Sequence, residues 1–160
     1  MNNQLELYQQ VILEHNRKPK NFGKLDSATH RAEGFNPICG DHFWVALQLN
    51  AEGRVEGIAF EGSGCAISKA SASMMTEAVK GKTQADALTL CAQFQLLVKG
   101  EPKEGTSLGK LEVFSNIWKY PARVKCAGLA WHALQGAFAK TAVVSTETEE
   151  EAVTEKGPQS

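Results

Sequence analysis

Three segments of this chain each set a cysteine beside a turn or at the start of a helix. They are Asn36-Pro37-Ile38-Cys39-Gly40-Asp41, Gly62-Ser63-Gly64-Cys65 and Pro121-Ala122-Arg123-Val124-Lys125-Cys126. A cysteine binds metal or attacks sulfur only as the thiolate, and a neighbouring glycine lets backbone turn sharply and approach a bound atom. Cys39 and Asp41 stand two residues apart, so on extended chain their side chains share one side. Adding Cys65 and Cys126 makes three thiolates and one carboxylate, the ligand number of tetrahedral zinc. Three soft sulfurs suit zinc or iron and disfavour magnesium or calcium. Around a divalent ion this set would carry a charge of about −2, which calls for cationic neighbours. Arg123 and Lys125, beside Cys126, are the candidates. Cys65 at a helix start, and Cys126 in the opening turns of another helix, are expected to have depressed thiol pKa values.

The same residues also have plainer readings. No two cysteines form a C-x-x-C pair, Asp41 could be a turn residue after Gly40, and Arg123 and Lys125 could be solvated charges. Cys91 shares an apolar helical face with Phe94 and Val98 and reads as core. Of the four histidines, His15 and His30 read as structural or surface residues. His42 points opposite Asp41 on a strand and is second to the ligands at best, and His132 reads as a packing or partner-surface residue.

The elements that must position these residues follow from periodicity. Residues 3–18 carry Leu5, Tyr8, Val11 and Ile12 at helical spacing. Residues 19–37 lack a sustained period and read mostly as loop, with a short extended piece near 30–35. Phe43, Val45, Leu47 and Leu49 alternate along a strand, and Asn50 to Gly53 supplies turn residues before a second strand over 55–61. Past Gly64 the period becomes helical through Ile67, Ala70, Met74 and Ala78. Thr83, three residues before Asp86, introduces another helix bearing Ala87, Cys91, Phe94 and Val98. Residues 101–109 read as loop, and Leu111, Phe114 and Trp118 mark a short helix broken at Tyr120-Pro121. A final helix is expected over 122–140. The expected architecture is α+β, a small antiparallel sheet packed against several helices.

Size and charge narrow the function. The chain has 160 residues, enough for one domain with a real core. Seventeen Lys+Arg face eighteen Asp+Glu, and five of those Glu fall in the last twenty residues. This divides the chain into a folded body over 1–140 and an acidic tail over 141–160, too poor in apolar area to order by itself. The charge balance gives no basic stripe for nucleic acid, and no apolar run is long enough for a membrane span. The polar start MNNQLELYQQ lacks an apolar signal core, so a cytoplasmic location with reduced thiols is expected.

Taken together, Cys-Gly-Asp, Gly-Cys-Ala-Ile-Ser and Arg-Val-Lys-Cys in this order resemble the U-type iron–sulfur cluster assembly family of IscU and the N-terminal domain of NifU. The likeness runs from the first helix to about Lys140. More narrowly, the stretch from Tyr120 to Ala127 and the extra residues around 95–109 resemble the SufU branch. Lys125 stands where IscU proteins have histidine, and the Leu-Pro-Pro-Val-Lys segment by which IscU engages its chaperone is absent. The resemblance implies an IscU/SufU-like fold and a zinc-dependent sulfurtransferase that accepts persulfide sulfur from a SufS-type cysteine desulfurase. It implies Cys39, Asp41, Cys65 and Cys126 as zinc ligands, with Cys39 also the sulfur acceptor, freed when a histidine of the desulfurase replaces it. Arg123 would steady the anionic site, and downstream cluster assembly proteins would receive the sulfur. The alternative is a non-enzymatic scaffold that assembles and donates a [2Fe–2S] cluster on the same ligands. A purely structural zinc domain fits less well, because closed structural sites favour all-Cys/His sets.

Overall fold

A computed structural model describes residues 3–140 and 143–145 of the chain. Its sheet grows from the predicted hairpin. In β2 (Asp41–Leu49), Phe43, Val45 and Leu47 are fully buried on one face while Trp44 projects from the other. Asn50 closes the turn by accepting the N–H groups of Glu52 and Arg54 on its Oδ1. The chain returns in β3 (Val55–Ser63), antiparallel to β2, with Phe60 opposite Val45 and Ser63 opposite His42.

The stretch read mostly as loop holds a full strand, β1 (His30–Asn36), antiparallel to β2 from His30 opposite Leu47 to Asn36 opposite Asp41. Its inward positions are Ala32, Gly34 and Asn36, none with the bulk that marks a strand by pattern. Pairing makes this strand, because β2 offers it a complete ladder of partners.

Beyond the expected end of the folded body, β4 (Val143–Ser145) runs parallel to β1, from Val143 opposite Glu33 to Ser145 opposite Phe35. The sheet order is therefore β3-β2-β1-β4. This corrects the reading of 141–160 as tail throughout. The free edge of β1 supplies the hydrogen-bonding partners that composition could not reveal. The remainder of the acidic tail lies outside the described residues. Truncation after Lys140 is expected to cost about 1–2 kcal/mol by removing β4, seen as a fall of about 3–6 °C in unfolding midpoint. An unchanged midpoint would show that β4 adds nothing.

The helices are α1 (Asn3–Arg17), α2 (Ala66–Val79), α3 (Gln84–Val98) and α4 (Pro121–Phe138). α4 covers β1 and β2, α2 and α3 pack on α4, and α1 packs on α2. Thr83 caps α3 by accepting the Asp86 N–H at 3.1 Å, and Pro121 opens α4 where its missing N–H costs nothing. Leu129, Ala130, Ala133, Leu134 and Ala137 of α4 are buried as expected. The small residues of α2 bring it close to α4. There the Ser71 hydroxyl donates to the Ala127 carbonyl at 2.6 Å and accepts the Trp131 indole N–H at 3.0 Å.

The short helix before α4 is two 3-10 turns, Gly109–Phe114 and Ile117–Lys119. Three residues per turn put Leu111, Phe114 and Ile117 in the core and leave Trp118 49% exposed. No helix among the described residues is long and apolar enough to cross a membrane.

Candidate metal and thiol site

The register brings one end of β1, β2 and β3 together beside the first turns of α4. The β1–β2 connection carries Cys39, and Gly40 in it has a φ of +81°, a left-handed conformation that glycine adopts freely. Asp41 begins β2 opposite Asn36. Ser63 ends β3 opposite His42, and Cys65 follows as the N-cap of α2. Cys126 lies beyond the first turn of α4.

Cys39, Asp41 and Cys126 each offer a donor atom, and these atoms all lie within 4.8 Å of one another. The two sulfurs are 3.8 Å apart. Asp41 and Cys126 are buried, whereas Cys39 is exposed at the hairpin tip. Cys65 stands outside this tight group but is tied to it. Its N–H donates to Asp41 Oδ1 at 3.0 Å, and its thiol is hydrogen-bonded to that of Cys126. Its sulfur also accepts the Ser68 N–H at 3.4 Å.

The site's chemistry fits a soft cation. Asp41 Oδ2 is buried with no hydrogen-bond partner, although Oδ1 is satisfied. A buried carboxylate oxygen left bare is costly unless a cation or proton meets it. Two sulfurs converge on the same place, with a third beside them, a donor set suited to zinc or iron.

The thiol electrostatics divide the cysteines. Hydrogen bonding from Cys126, followed by the Ser68 N–H, lowers the Cys65 pKa to about 6 against opposing desolvation. The expectation for Cys65 is met. For Cys126 it is not: donation to Cys65, burial and the neighbouring Asp41 hold its pKa well above the usual thiol value. The physical reason is that the two thiols meet: Cys126 gives the hydrogen bond and Cys65, which caps α2, receives it. Cys91 is pushed up to about 12 by burial alone, as a core thiol should be.

The proposed cationic neighbours sit differently. Arg123 is exposed, and its guanidinium lies 4.7 Å from the Tyr120 ring centroid, with no ion pair to a described residue. Lys125 is exposed one residue before Cys126. His42 faces away from Asp41 as expected, 2.5 Å from the Glu33 carboxylate and stacked on Trp44 with ring centroids 4.3 Å apart. His15 is structural, its Nδ1 2.7 Å from the Ser73 hydroxyl.

Sequence reasoning missed two residues. Asn36 is buried and places Nδ2 3.9 Å from Cys126 Sγ. Ser68 is buried and donates its hydroxyl to the Cys65 carbonyl at 3.0 Å. The signals were present, an Asn ahead of Pro37 and a Ser three residues past a helix cap, but each has many uses.

Gly64 is explained by contact. A Cβ there would lie 2.7 Å from Asp41 Oδ1, 2.5 Å from Ser68 Oγ and 3.0 Å from Phe43 Cε2. At these distances a neighbour must shift, so Gly64→Ala should cost about 1–3 kcal/mol by overpacking. The same variant should displace the Asp41 carboxylate and weaken metal retention. Wild-type stability together with wild-type metal content would show that the junction has slack.

Residues 7–140 match the model of the NifU-like N-terminal domain. The chain belongs to this family. The NifU-like domain is 42% identical over 135 residues to the zinc-dependent sulfurtransferase SufU of Bacillus subtilis, covering 84% of this chain and 90% of that one. It is 39% identical to the iron–sulfur cluster assembly scaffold protein IscU of Streptococcus pyogenes serotype M1, covering 85% of each. A crystal structure of a putative iron–sulfur cluster assembly scaffold protein for the SUF system from Fervidobacterium islandicum superposes with a TM-score of 0.76 at 32% identity. That match covers 82% of the NifU-like domain's chain and 96% of the other. The α+β sheet-and-helix fold is thus that of the IscU/SufU structures.

Proposed function

We propose that this NifU-like domain works in iron–sulfur cluster assembly as a zinc-dependent sulfurtransferase, taking persulfide sulfur from a SufS-type cysteine desulfurase onto Cys39. The observation that carries the reading is the asymmetry of the tight three-atom group: Asp41 and Cys126 are buried and Cys39 is exposed to a partner, while Cys65, also exposed, stands outside that group with its sulfur accepting the Ser68 N–H. The similarity to a relative named as a zinc-dependent sulfurtransferase supports it.

Asp41, Cys65 and Cys126 would hold zinc together with Cys39, and bound zinc would keep these thiols deprotonated near neutral pH. Asp41 keeps its place through the Cys65 N–H, and Cys65 through the Ser68 N–H. The Cys39 thiolate then attacks the outer sulfur of the desulfurase persulfide. A sulfur–sulfur bond forms on Cys39 as the partner's breaks, and the electron pair leaves on the partner's thiolate, so no outside oxidant or reductant is needed.

The test is mass spectrometry of the protein after incubation with desulfurase and cysteine. The expected result is about one added sulfur atom, mapped to Cys39. Metal analysis of protein purified without added iron separates the second reading, which the similarity to a named scaffold favours. Zinc at about one per chain and no visible absorption agree with sulfur transfer, and a brown protein agrees with a cluster scaffold.

A further inference from the structure

The outer face of the sheet holds a second set of groups, apart from the thiols. Trp44 stands on β2 with Glu33 directly across the ladder on β1 and Glu61 directly across it on β3. Paired residues of antiparallel strands share a face, so a carboxylate flanks the indole on either side. His42 covers one face of the Trp44 ring, with centroids 4.3 Å apart and planes 18° apart, and its Nε2 is bonded to the Glu33 carboxylate. Trp44 is 43% exposed, and its other ring face is left to a cavity of about 210 Å³.

The next row of the same face is Arg31, Ala46 and Ala59. The two alanines line the cavity and are short enough to leave it open. Residues 23–25 wall it, and they are fixed in place. The Gly23 N–H donates to the Phe60 carbonyl at 2.8 Å, and Arg31 Nη2 donates to the Leu25 carbonyl at 3.2 Å. Lys24 joins Arg31 in the lining. Two carboxylates and two cations therefore line one space. Among the described residues Arg31, Lys24 and Glu61 make no ion pair, so these opposite charges do not neutralise one another. A lining with both signs and no net charge complements a ligand built the same way.

The two rows differ in what they recognise. A free indole face between two carboxylates suits a planar cation, which stacks on the ring while donating hydrogen bonds in its own plane. The row of Arg31 lies two residues along the strand, about 7 Å away. That separation matches an extended arginine from guanidinium to α-carboxylate. We propose that this cavity binds an arginine with a free carboxylate, as the amino acid itself or as the last residue of a chain. Its guanidinium stacks on Trp44 between Glu33 and Glu61, and its carboxylate meets Arg31 and Lys24. A space of about 210 Å³ suits one such residue, being below the roughly 300–1,000 Å³ of pockets for drug-sized ligands. The site shares no residue with the metal and thiol group and stands independently of the sulfur-transfer reading.

The probe is Nα-acetyl-L-arginine, titrated into the full-length protein while the indole N–H signals of the three tryptophans are followed by NMR. Trp44→Phe assigns the signal of interest. That signal should shift saturably, half-complete at about 1 mM or below, as charge-assisted contacts at both ends and a stacked ring allow. Trp118, exposed but outside this cavity, should stay still. Nα-acetyl-L-citrulline keeps the shape without the cation, and Nα-acetyl-L-arginine amide lacks the carboxylate. Each should bind about tenfold more weakly, the loss of one charge-assisted contact. Glu61→Gln should weaken the arginine probe about tenfold and leave the citrulline probe within about twofold of wild type.

A shift that never saturates, or one shared equally by Trp44 and Trp118, would overturn the proposal and assign the effect to unspecific stacking. Citrulline bound as tightly as arginine would remove the guanidinium from the site, and the amide bound as tightly would remove the carboxylate. These comparisons use the wild type, so they decide even should Glu61→Gln fail to fold. Free L-arginine and a tripeptide of two alanines and a terminal arginine then distinguish the sources. Tighter binding of the tripeptide assigns the site to a chain end, and tighter binding of the free amino acid assigns it to the small molecule.

Discussion

Cys126→Ser is expected to lose bound metal and stability together. Cys126 is buried, lies within 4.8 Å of the Asp41 and Cys39 donor atoms, and is hydrogen-bonded to Cys65. Removing its sulfur takes away a central donor and leaves Asp41 Oδ2, already without a protein partner, facing a poorer ligand set. A ligand present at a thousand times its Kd stabilises the folded state by about 4 kcal/mol, and that linkage is what the variant would forfeit. Calorimetric unfolding with parallel metal analysis reads both losses, and chelation of the wild type should reproduce the fall. Cys65→Ser should behave in the same direction. Acidification should release the metal from the wild type, because binding requires deprotonated thiols and protons compete for them. Cys91→Ala is the contrast: its thiol sits in the core with the pKa pushed up by burial, so metal should stay. Metal lost from Cys91→Ala but retained by Cys126→Ser would show that the ligand set is wrong.

Cys39→Ala should abolish sulfur transfer while sparing the fold. The side chain is exposed at a hairpin tip, so its removal empties no core volume. Stimulation of the desulfurase should fall at least about a hundredfold, the loss expected when a nucleophile is removed. Asp41, Cys65 and Cys126 remain, and three protein ligands with water in the fourth position are a workable zinc arrangement. Metal should therefore persist at reduced affinity. Asp41→Ala offers the complementary case, with all three thiolates present but the buried carboxylate gone. There the expected defect is in metal retention and site geometry before sulfur acceptance. Undiminished desulfurase stimulation by Cys39→Ala, or persulfide found only on Cys91, would remove Cys39 from the role assigned to it.

Much of this protein could be read from local pattern, because local pattern is what periodicity and caps encode. The alternation of Phe43, Val45 and Leu47 predicts β2 and its buried face, and Asn50 to Gly53 predicts the turn into β3. The helical stripes predict α1 to α4, and Thr83 marks the start of α3. Types and spacing alone offered Cys39, Asp41, Cys65 and Cys126 as candidate ligands, of which the fold gathers Cys39, Asp41 and Cys126 most tightly, and they set Cys91 in the core and turned His42 away from Asp41.

Other features depend on partners distant in the chain, and no local signal carries them. β1 has Ala32, Gly34 and Asn36 on its inner face and becomes a strand only because β2 pairs with it. β4 exists because β1 leaves an edge open, in a stretch whose composition argues for disorder. The proton between Cys65 and Cys126 follows from their meeting across α2 and α4, which reversed the expectation for Cys126. Arg123 turned to the Tyr120 ring, a choice that helix position alone does not make. Asn36 is the clearest instance. In sequence it is a polar residue before a proline; folded, ninety positions from Cys126, it faces that sulfur from a buried site. Residue chemistry limits what a site can be, and strand register decides which groups meet to make it.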